Sequence, residues 1–131
     1  MESKIQLLEF PNLHTMREAL ESKATNYEGS VKDRVGYNFP LDGKYIVAWV
    51  KGDILTKKHE MLHFKYHTSE KYRQEVSKLW LGFSQAEQTK IIEVLSRLGY
   101  SKEVHLDEFQ AYWFSERKPE RFFGLKIYKF E

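Results

Sequence analysis

The segment His59-Glu60-Met61-Leu62-His63 combines two imidazoles and a carboxylate at a spacing suited to metal chemistry. On a helix, side chains four residues apart project from one face, so His59 and His63 can bind the same divalent metal ion. Glu60 would then lie beside a water molecule on that ion, where a carboxylate can act as a general base. The pattern predicts a metal site with its own base, provided that the segment is helical.

The residues before the motif favour a helix. Asp53 is a good N-cap residue, and residues 54–58 contain neither Gly nor Pro. We therefore predict a helix from Ile54 to about His67, with apolar residues between the two histidines as in a buried helix that has one polar stripe. The alternative is an amphipathic helix in which the two histidines are incidental.

The third ligand must come from outside the motif, because a catalytic zinc ion typically has three protein ligands and one open position for water. The chain has no cysteine, so histidine and carboxylate remain. His67 lies eight residues after His59. That spacing is about 12 Å along a helix, too long for one ion to reach both rings. We interpret His67 as a cation at the helix C-terminus or as a side chain that supports the ligands without binding the metal.

An acidic pair in the C-terminal half offers the missing ligand. Asp107 and Glu108 lie among apolar and aromatic residues between positions 106 and 114. Burying a carboxylate in such surroundings is costly unless a cation compensates its charge. We predict Glu108 as the third ligand, and Asp107 as the helix cap or as an acceptor for the N–H of a ligating imidazole. In the alternative, Asp107 is a purely structural cap and Glu108 is exposed.

The remaining elements are predicted from periodicity, caps and turn residues. A helix over 13–23 would back the sheet, and Asp42-Gly43 favours a turn between two strands. Ser84 and Glu87 form a capping box for a helix that Gly99 ends. The predicted helices are 13–23, 54–67, a segment capped by Thr68 or Ser69 through Trp80, 85–98 and 107–114. The predicted strands are 35–39, 44–50 and 123–130.

Size and charge narrow the class of protein. With 131 residues, 41% of them hydrophobic, the chain has enough apolar material for one core, so we expect one α+β domain over residues 1–131. The 21 basic and 19 acidic residues are interleaved, and the basic and aromatic mixture at 117–123 is explained more simply by a solvated turn before a core strand. We therefore expect no nucleic-acid partner. No apolar run reaches signal-peptide or membrane-span length, so we expect a monomer in the cytoplasm.

With these residues in place, the chain resembles the zincin (HExxH) metallopeptidases. Within them it is similar to the gluzincins, in which a glutamate on a downstream helix follows the motif. The likeness rests on His59, Glu60, His63 and Glu108 and covers about residues 35–115 as an order of elements. It implies a compact zincin-like domain of minimal size, with a backing helix, a small twisted β-sheet, the motif helix and a helical C-terminal half.

Two departures limit the resemblance. The metzincin pattern needs Gly and His three and six residues after the second histidine, where this chain has Tyr66 and Ser69, so that subclass is excluded. The thermolysin-like pattern has an Asp four residues after the glutamate ligand. Here that position is Tyr112, which removes the hydrogen bond that the Asp would make.

The expected activity is hydrolysis of peptide bonds in a peptide or protein substrate, with Zn²⁺ as cofactor and with Glu60 activating the metal-bound water. The substrate would pair with an exposed sheet edge at residues 35–39. One alternative is a zincin-fold metal site that acts on a non-peptide bond or serves as a non-catalytic interaction module. Another is a metal-free interaction module. The oxyanion of the reaction needs a donor, and the candidates are His105, Tyr112 and Tyr66.

Overall fold

The computed structural model describes the backbone of residues 4–28 and 35–125. Side chains are described for residues 5–24 and 35–125. Within these residues, six α-helices and a small three-stranded mixed sheet make the protein α+β, as predicted. The contacts divide the chain into two compact units, Met1–Thr68 and Ser69–Glu131. The division concerns contacts rather than independent folding, so the expected single domain over residues 1–131 stays a prediction.

The sheet of the first unit consists of β1 (Lys4–Phe10), β2 (Tyr37–Leu41) and β3 (Lys44–Val50), in the order β1-β3-β2. β2 and β3 form the predicted antiparallel hairpin. Asp42 and Gly43 have φ of 50° and 78°, as the two central residues of a type I′ turn require. β1 pairs with β3 in parallel. β1 was not among the strands predicted from the sequence.

One face of this sheet packs against α1 (Leu13–Glu28), which backs it as predicted and continues beyond the expected end at Lys23. Successive strand residues point to opposite faces, so alternate residues of β2 and β3 reach this helix. The buried core consists of Met16, Leu20, Ala24, Tyr37, Phe39, Ile46 and Ala48. The intervening strand residues are left for the other face.

That other face contacts α2 (Ile54–Thr68), the motif helix, which begins at the predicted residue. The Thr56 N–H donates to Asp53 Oδ1 at 3.1 Å, and the Thr56 hydroxyl donates to Asp53 Oδ2 at 2.6 Å, which confirms Asp53 as the cap. The ring of Phe64 lies 5.2 Å from that of Tyr45 on β3. These contacts determine both where the helix begins and which face it turns to the sheet.

The second unit is helical. Its elements are α3 (Glu70–Leu81), α4 (Gln85–Arg97), a 3₁₀ turn (Lys102–Val104), α5 (His105–Ser115) and α6 (Pro119–Phe122). The Ser69 cap of α3 and the capping box of Ser84 and Glu87 on α4 are confirmed by their hydrogen bonds. Gly99, at φ 98°, follows α4 as predicted. Aromatic rings around Phe109 of α5 form the core, with Trp80 at 5.2 Å and Phe83 at 5.7 Å.

Two sequence expectations for this unit are wrong. α5 begins at His105 and follows Val104, which makes no side-chain cap, so Asp107 lies in the first turn and is not the cap. No strand begins at Phe123, because Phe123 and Gly124 form the turn after α6 and Gly124 has φ 68°. Positions 126–130 of the expected closing strand lie outside the described residues. Within the described residues, no helix has the length and apolar character needed to cross a membrane.

Candidate metal centre

The two histidines of the motif converge on α2. Their Nε2 atoms are 3.1 Å apart and their ring centroids are 4.7 Å apart. His63 is buried and His59 is half-buried. Two nitrogen ligands of one tetrahedral zinc ion, each about 2.1 Å from it, would be about 3.4 Å apart. A shift of a few tenths of an ångström would therefore let both nitrogens bind one ion.

A hydrogen bond between the rings suits the same distance, with one Nε2 carrying the proton and the other accepting it. Such a bond needs a proton on one Nε2 and a free lone pair on the other, whereas metal binding uses the lone pairs of both nitrogens. Both arrangements need the same helix face and the same two rotamers. The two nitrogens are therefore placed either to share a proton or to bind one metal ion. The metal content of the purified protein distinguishes these two states.

Glu60 is buried, with 8% of its surface exposed, and its carboxylate is hydrogen-bonded to the sheet. Its Oε2 accepts a hydrogen bond from the side-chain amide of Asn38 on β2. The Asn38 Oδ1 in turn accepts from the Tyr45 hydroxyl at 2.7 Å. This chain of donors orients the carboxylate that the sequence predicts to be the general base, and it satisfies a polar group that would be costly to bury alone.

Sequence reasoning missed Asn38. The available signal was weak: an Asn is unusual within a strand, and here it lies between Tyr37 and Phe39, which face the α1 core. Period-2 alternation therefore directs Asn38 to the α2 face. Nothing local links it to Glu60, which lies 22 residues later in the chain.

The chain also passes close to α2 just before β2. A Cβ at Gly36 would lie 2.4 Å from Thr56 Cγ2 and 3.0 Å from Glu60 Cγ. The first distance is shorter than real Cβ contacts and the second is tight, so a larger residue at this position would have to displace the Thr56 side chain. Gly36 thus lets the strand that carries Asn38 reach the carboxylate of Glu60.

The acidic pair lies in the first turn of α5, in the second unit. Glu108 is half-buried and its Oε1 atom is shielded from solvent, which contradicts the alternative of an exposed Glu108. Asp107 is buried, and its Oδ1 accepts from the Gln110 side-chain amide at 3.0 Å. Gln110 Oε1 accepts from the Tyr72 hydroxyl at 2.7 Å. Burial, followed by the charges of Asp107 and Glu75, raises the pKa of Tyr72 to about 12.

The candidate oxyanion donors lie in both units. In the second unit, His105 Nε2 is 3.1 Å from the Tyr100 carbonyl oxygen, and the Tyr112 hydroxyl is 3.0 Å from that of Tyr100. In the first unit, the ring centroids of Tyr66 and His67 are 6.2 Å apart in an edge-to-face arrangement. His67 itself is exposed in the last turn of α2, and its role there stays a prediction. The oxyanion roles stay predictions.

Comparison of the chain with protein-family models, with curated proteins and with solved structures finds no match. The resemblance to the zincins therefore stays a prediction from the motif. The geometry of α2 and the sheet is independent of that resemblance, because it follows from the contacts of the first unit.

Gly36→Ala should lower the free energy of unfolding by about 1–3 kcal/mol, the usual cost of overpacking. The added methyl group would press on Thr56 and Glu60. Urea unfolding measures the change. Thr56→Ser removes the nearer obstacle, Cγ2, and keeps the hydroxyl that contacts Asp53, so Gly36→Ala in that background should cost less. Equal costs in the two backgrounds would show that the close approach does not exist.

Proposed function

We propose that this protein is a zinc-dependent metallopeptidase in which His59 and His63 bind the metal, Glu108 completes the ligand set and Glu60 is the general base. The observation that carries the proposal is the 3.1 Å approach of the two Nε2 atoms, one turn apart on a helix that also presents a buried, oriented carboxylate. Burying polar side chains costs free energy, so the burial of Glu60 and His63 on one helix favours a functional site.

The chemistry of the donors fits zinc. Two imidazoles and a carboxylate form the ligand set of one class of catalytic zinc sites, with the fourth position open. His59, His63 and Glu108 all carry ligand-type side chains, and we propose that together they would hold the ion. The chain has no thiolate to compete for it. When bound, zinc would polarise the scissile carbonyl and lower the pKa of a water towards about 7.

The residues of the chain would perform the proton transfers. Asn38 binds Oε2 of Glu60, and Oε1 lies beside Gly36, 3.1 Å from where a Cβ of that residue would be. We propose that Oε1 accepts the proton of the attacking water. The same carboxyl group would then donate that proton to the leaving amine. Because Glu60 and His63 are buried, competing water is largely excluded from the base.

The sheet supports a peptide as substrate. β2 lies at one edge of the described sheet, and Pro40 within it lacks the N–H that an interior strand needs. An extended peptide can add to such an edge through main-chain hydrogen bonds. Asn38 belongs to the same strand, so a peptide paired along β2 would lie close to the Glu60 carboxylate.

A second candidate function is a metal-binding protein without peptide turnover, which acts on another bond or binds a partner. The grip of Asn38 on Glu60 favours it, since a carboxylate that is buried and hydrogen-bonded can be structural as well as catalytic. Peptide cleavage by metal-loaded protein separates the two functions.

Untagged protein should contain one zinc per chain by elemental analysis. His63→Ala should abolish that binding, because one imidazole and the Glu108 carboxylate are too few ligands to hold the ion. Glu60→Gln should keep the zinc and lower the rate of peptide hydrolysis by about 10²–10⁴-fold, the usual contribution of a general base. His14→Ala, at an exposed histidine of α1, is the matched control.

Zinc retained at full affinity by His63→Ala would remove the metal centre from the proposal. Equal cleavage by Glu60→Gln would remove Glu60 from the mechanism while leaving the metal centre intact. Zinc binding without cleavage of any peptide by the unaltered protein would favour the second candidate function.

Glu108→Gln should weaken zinc binding by more than about 10-fold, because the anionic ligand becomes a neutral amide of the same shape. Competition with a chelator of known affinity measures the change. Glu103→Gln, at a fully exposed carboxylate near the same helix, should leave the affinity unchanged. If the two variants bind zinc equally well, Glu108 is not a ligand.

Asn38→Ala should lower kcat by about 10-fold with KM and zinc content little changed, because the general base loses its orientation and the metal ligands do not. Tyr45→Phe removes only the donor to Asn38, so it should have a smaller effect in the same direction. Steady-state kinetics on zinc-loaded protein, normalised to folded fraction, provide the test. A change in zinc content with unchanged kcat per zinc would assign Asn38 a structural role instead.

A further inference from the structure

A second site is suggested by a cavity of about 540 Å³ in the second unit, where α4 faces the end of α6. Cavities that bind small molecules are typically about 300–1,000 Å³. None of its lining residues belongs to the proposed metal centre, so a ligand here would be independent of the peptidase proposal.

The rim of the cavity is mainly cationic. Lys90, Glu93 and Arg97 follow one face of α4 at helical spacing, and Arg121 comes from α6. Lys90 Nζ lies 3.4 Å from the Gly124 carbonyl oxygen, which directs this side chain along the cavity wall. Three cations against one carboxylate give the rim a net positive charge, which attracts anions.

Within the part of the chain that the structure describes, no acidic side chain lies within 4.0 Å of the head groups of Lys90, Arg97 and Arg121. Arg97 Nε instead donates to the backbone carbonyl oxygen of Glu93 at 3.4 Å. Arg97 lies in the last turn of α4, where the helix dipole stabilises a cation. Lys90 lies in the middle of α4, where the helix dipole gives no such stabilisation.

The wall of the cavity is apolar. Val94 and Leu98 of the α4 segment and Phe122 of α6 line it. Leu98 is 51% exposed, so its side chain is accessible to a ligand in the cavity. The cavity thus combines an apolar surface with guanidinium groups, which bind carboxylates and phosphates through paired N–H donors.

We propose that this cavity binds a small organic anion, with its carboxylate or phosphate on Arg97 and Arg121 and its apolar body on Val94, Leu98 and Phe122. Both head groups offer the same acceptor geometry to arginine. Glu93 lies on the same rim and opposes the charge of the ligand, so Glu93→Gln should tighten binding by about two- to five-fold.

The test is titration of the full chain with phenyl phosphate, benzoate, inorganic phosphate and neutral benzyl alcohol, followed by NMR chemical shifts. One of the two aryl anions should bind at least 10-fold more tightly than inorganic phosphate and benzyl alcohol, and the preferred one identifies the head group. Arg97→Gln with Arg121→Gln should weaken that binding at least 10-fold. Lys102→Gln with Arg117→Gln, at exposed cations outside the cavity, is the matched control.

Leu98→Ser should reduce the advantage of the aryl anion over inorganic phosphate without affecting folding, because Leu98 is largely exposed. Circular dichroism confirms the fold of each variant. Equal affinities for the aryl anions and inorganic phosphate, or equal weakening by the control pair, would overturn the proposal. His63→Ala should bind the aryl anion normally, so failure here and failure of the metal centre are distinguishable.

Discussion

The packing of α2 against the three-stranded sheet is the interaction on which the candidate centre depends. A helix presents its side chains about 100° apart, so a rotation of one residue would turn the histidines away and expose the base. The Asp53 cap determines where α2 begins, and the contact of Phe64 with Tyr45 determines the face that it turns to the sheet. With both constraints in place, His63 and Glu60 are buried and His59 is left half-buried beside them.

Burial of charge on this helix is tolerated because the sheet supplies donors. The amide of Asn38 binds Glu60, and the Tyr45 hydroxyl binds Asn38, so a strand and a helix are joined by polar bonds as well as by apolar packing. A buried polar network of this kind is stable only when each member has a partner. Gly36 contributes by being small, because a Cβ at that position would press on the side chains of Thr56 and Glu60.

The second unit solves a different problem, the packing of four helices around aromatic rings. Phe109 contacts Trp80 and Phe83, and these large rings fill the space between helices without needing polar partners. This unit also buries a polar set, Tyr72, Gln110 and Asp107, whose members are joined by hydrogen bonds. The acidic turn of α5 therefore has one carboxyl group held within its own unit at Asp107, while the neighbouring Glu108 is the residue that we propose as a ligand.

Local signals in the sequence were sufficient for most of the helices and for the β2–β3 hairpin, but not for β1, α6 or the start of α5. Caps at Asp53, Ser69 and Ser84 and the Asp42-Gly43 turn act over a few residues, so the helices and the hairpin could be predicted close to their observed bounds. The spacing of His59, Glu60 and His63 likewise needs only one turn of helix. The tertiary structure alone decided that β1 pairs with β3 and that Asn38 grips Glu60. Such contacts join residues far apart in the chain, and their stability comes from packing and desolvation that no local pattern encodes.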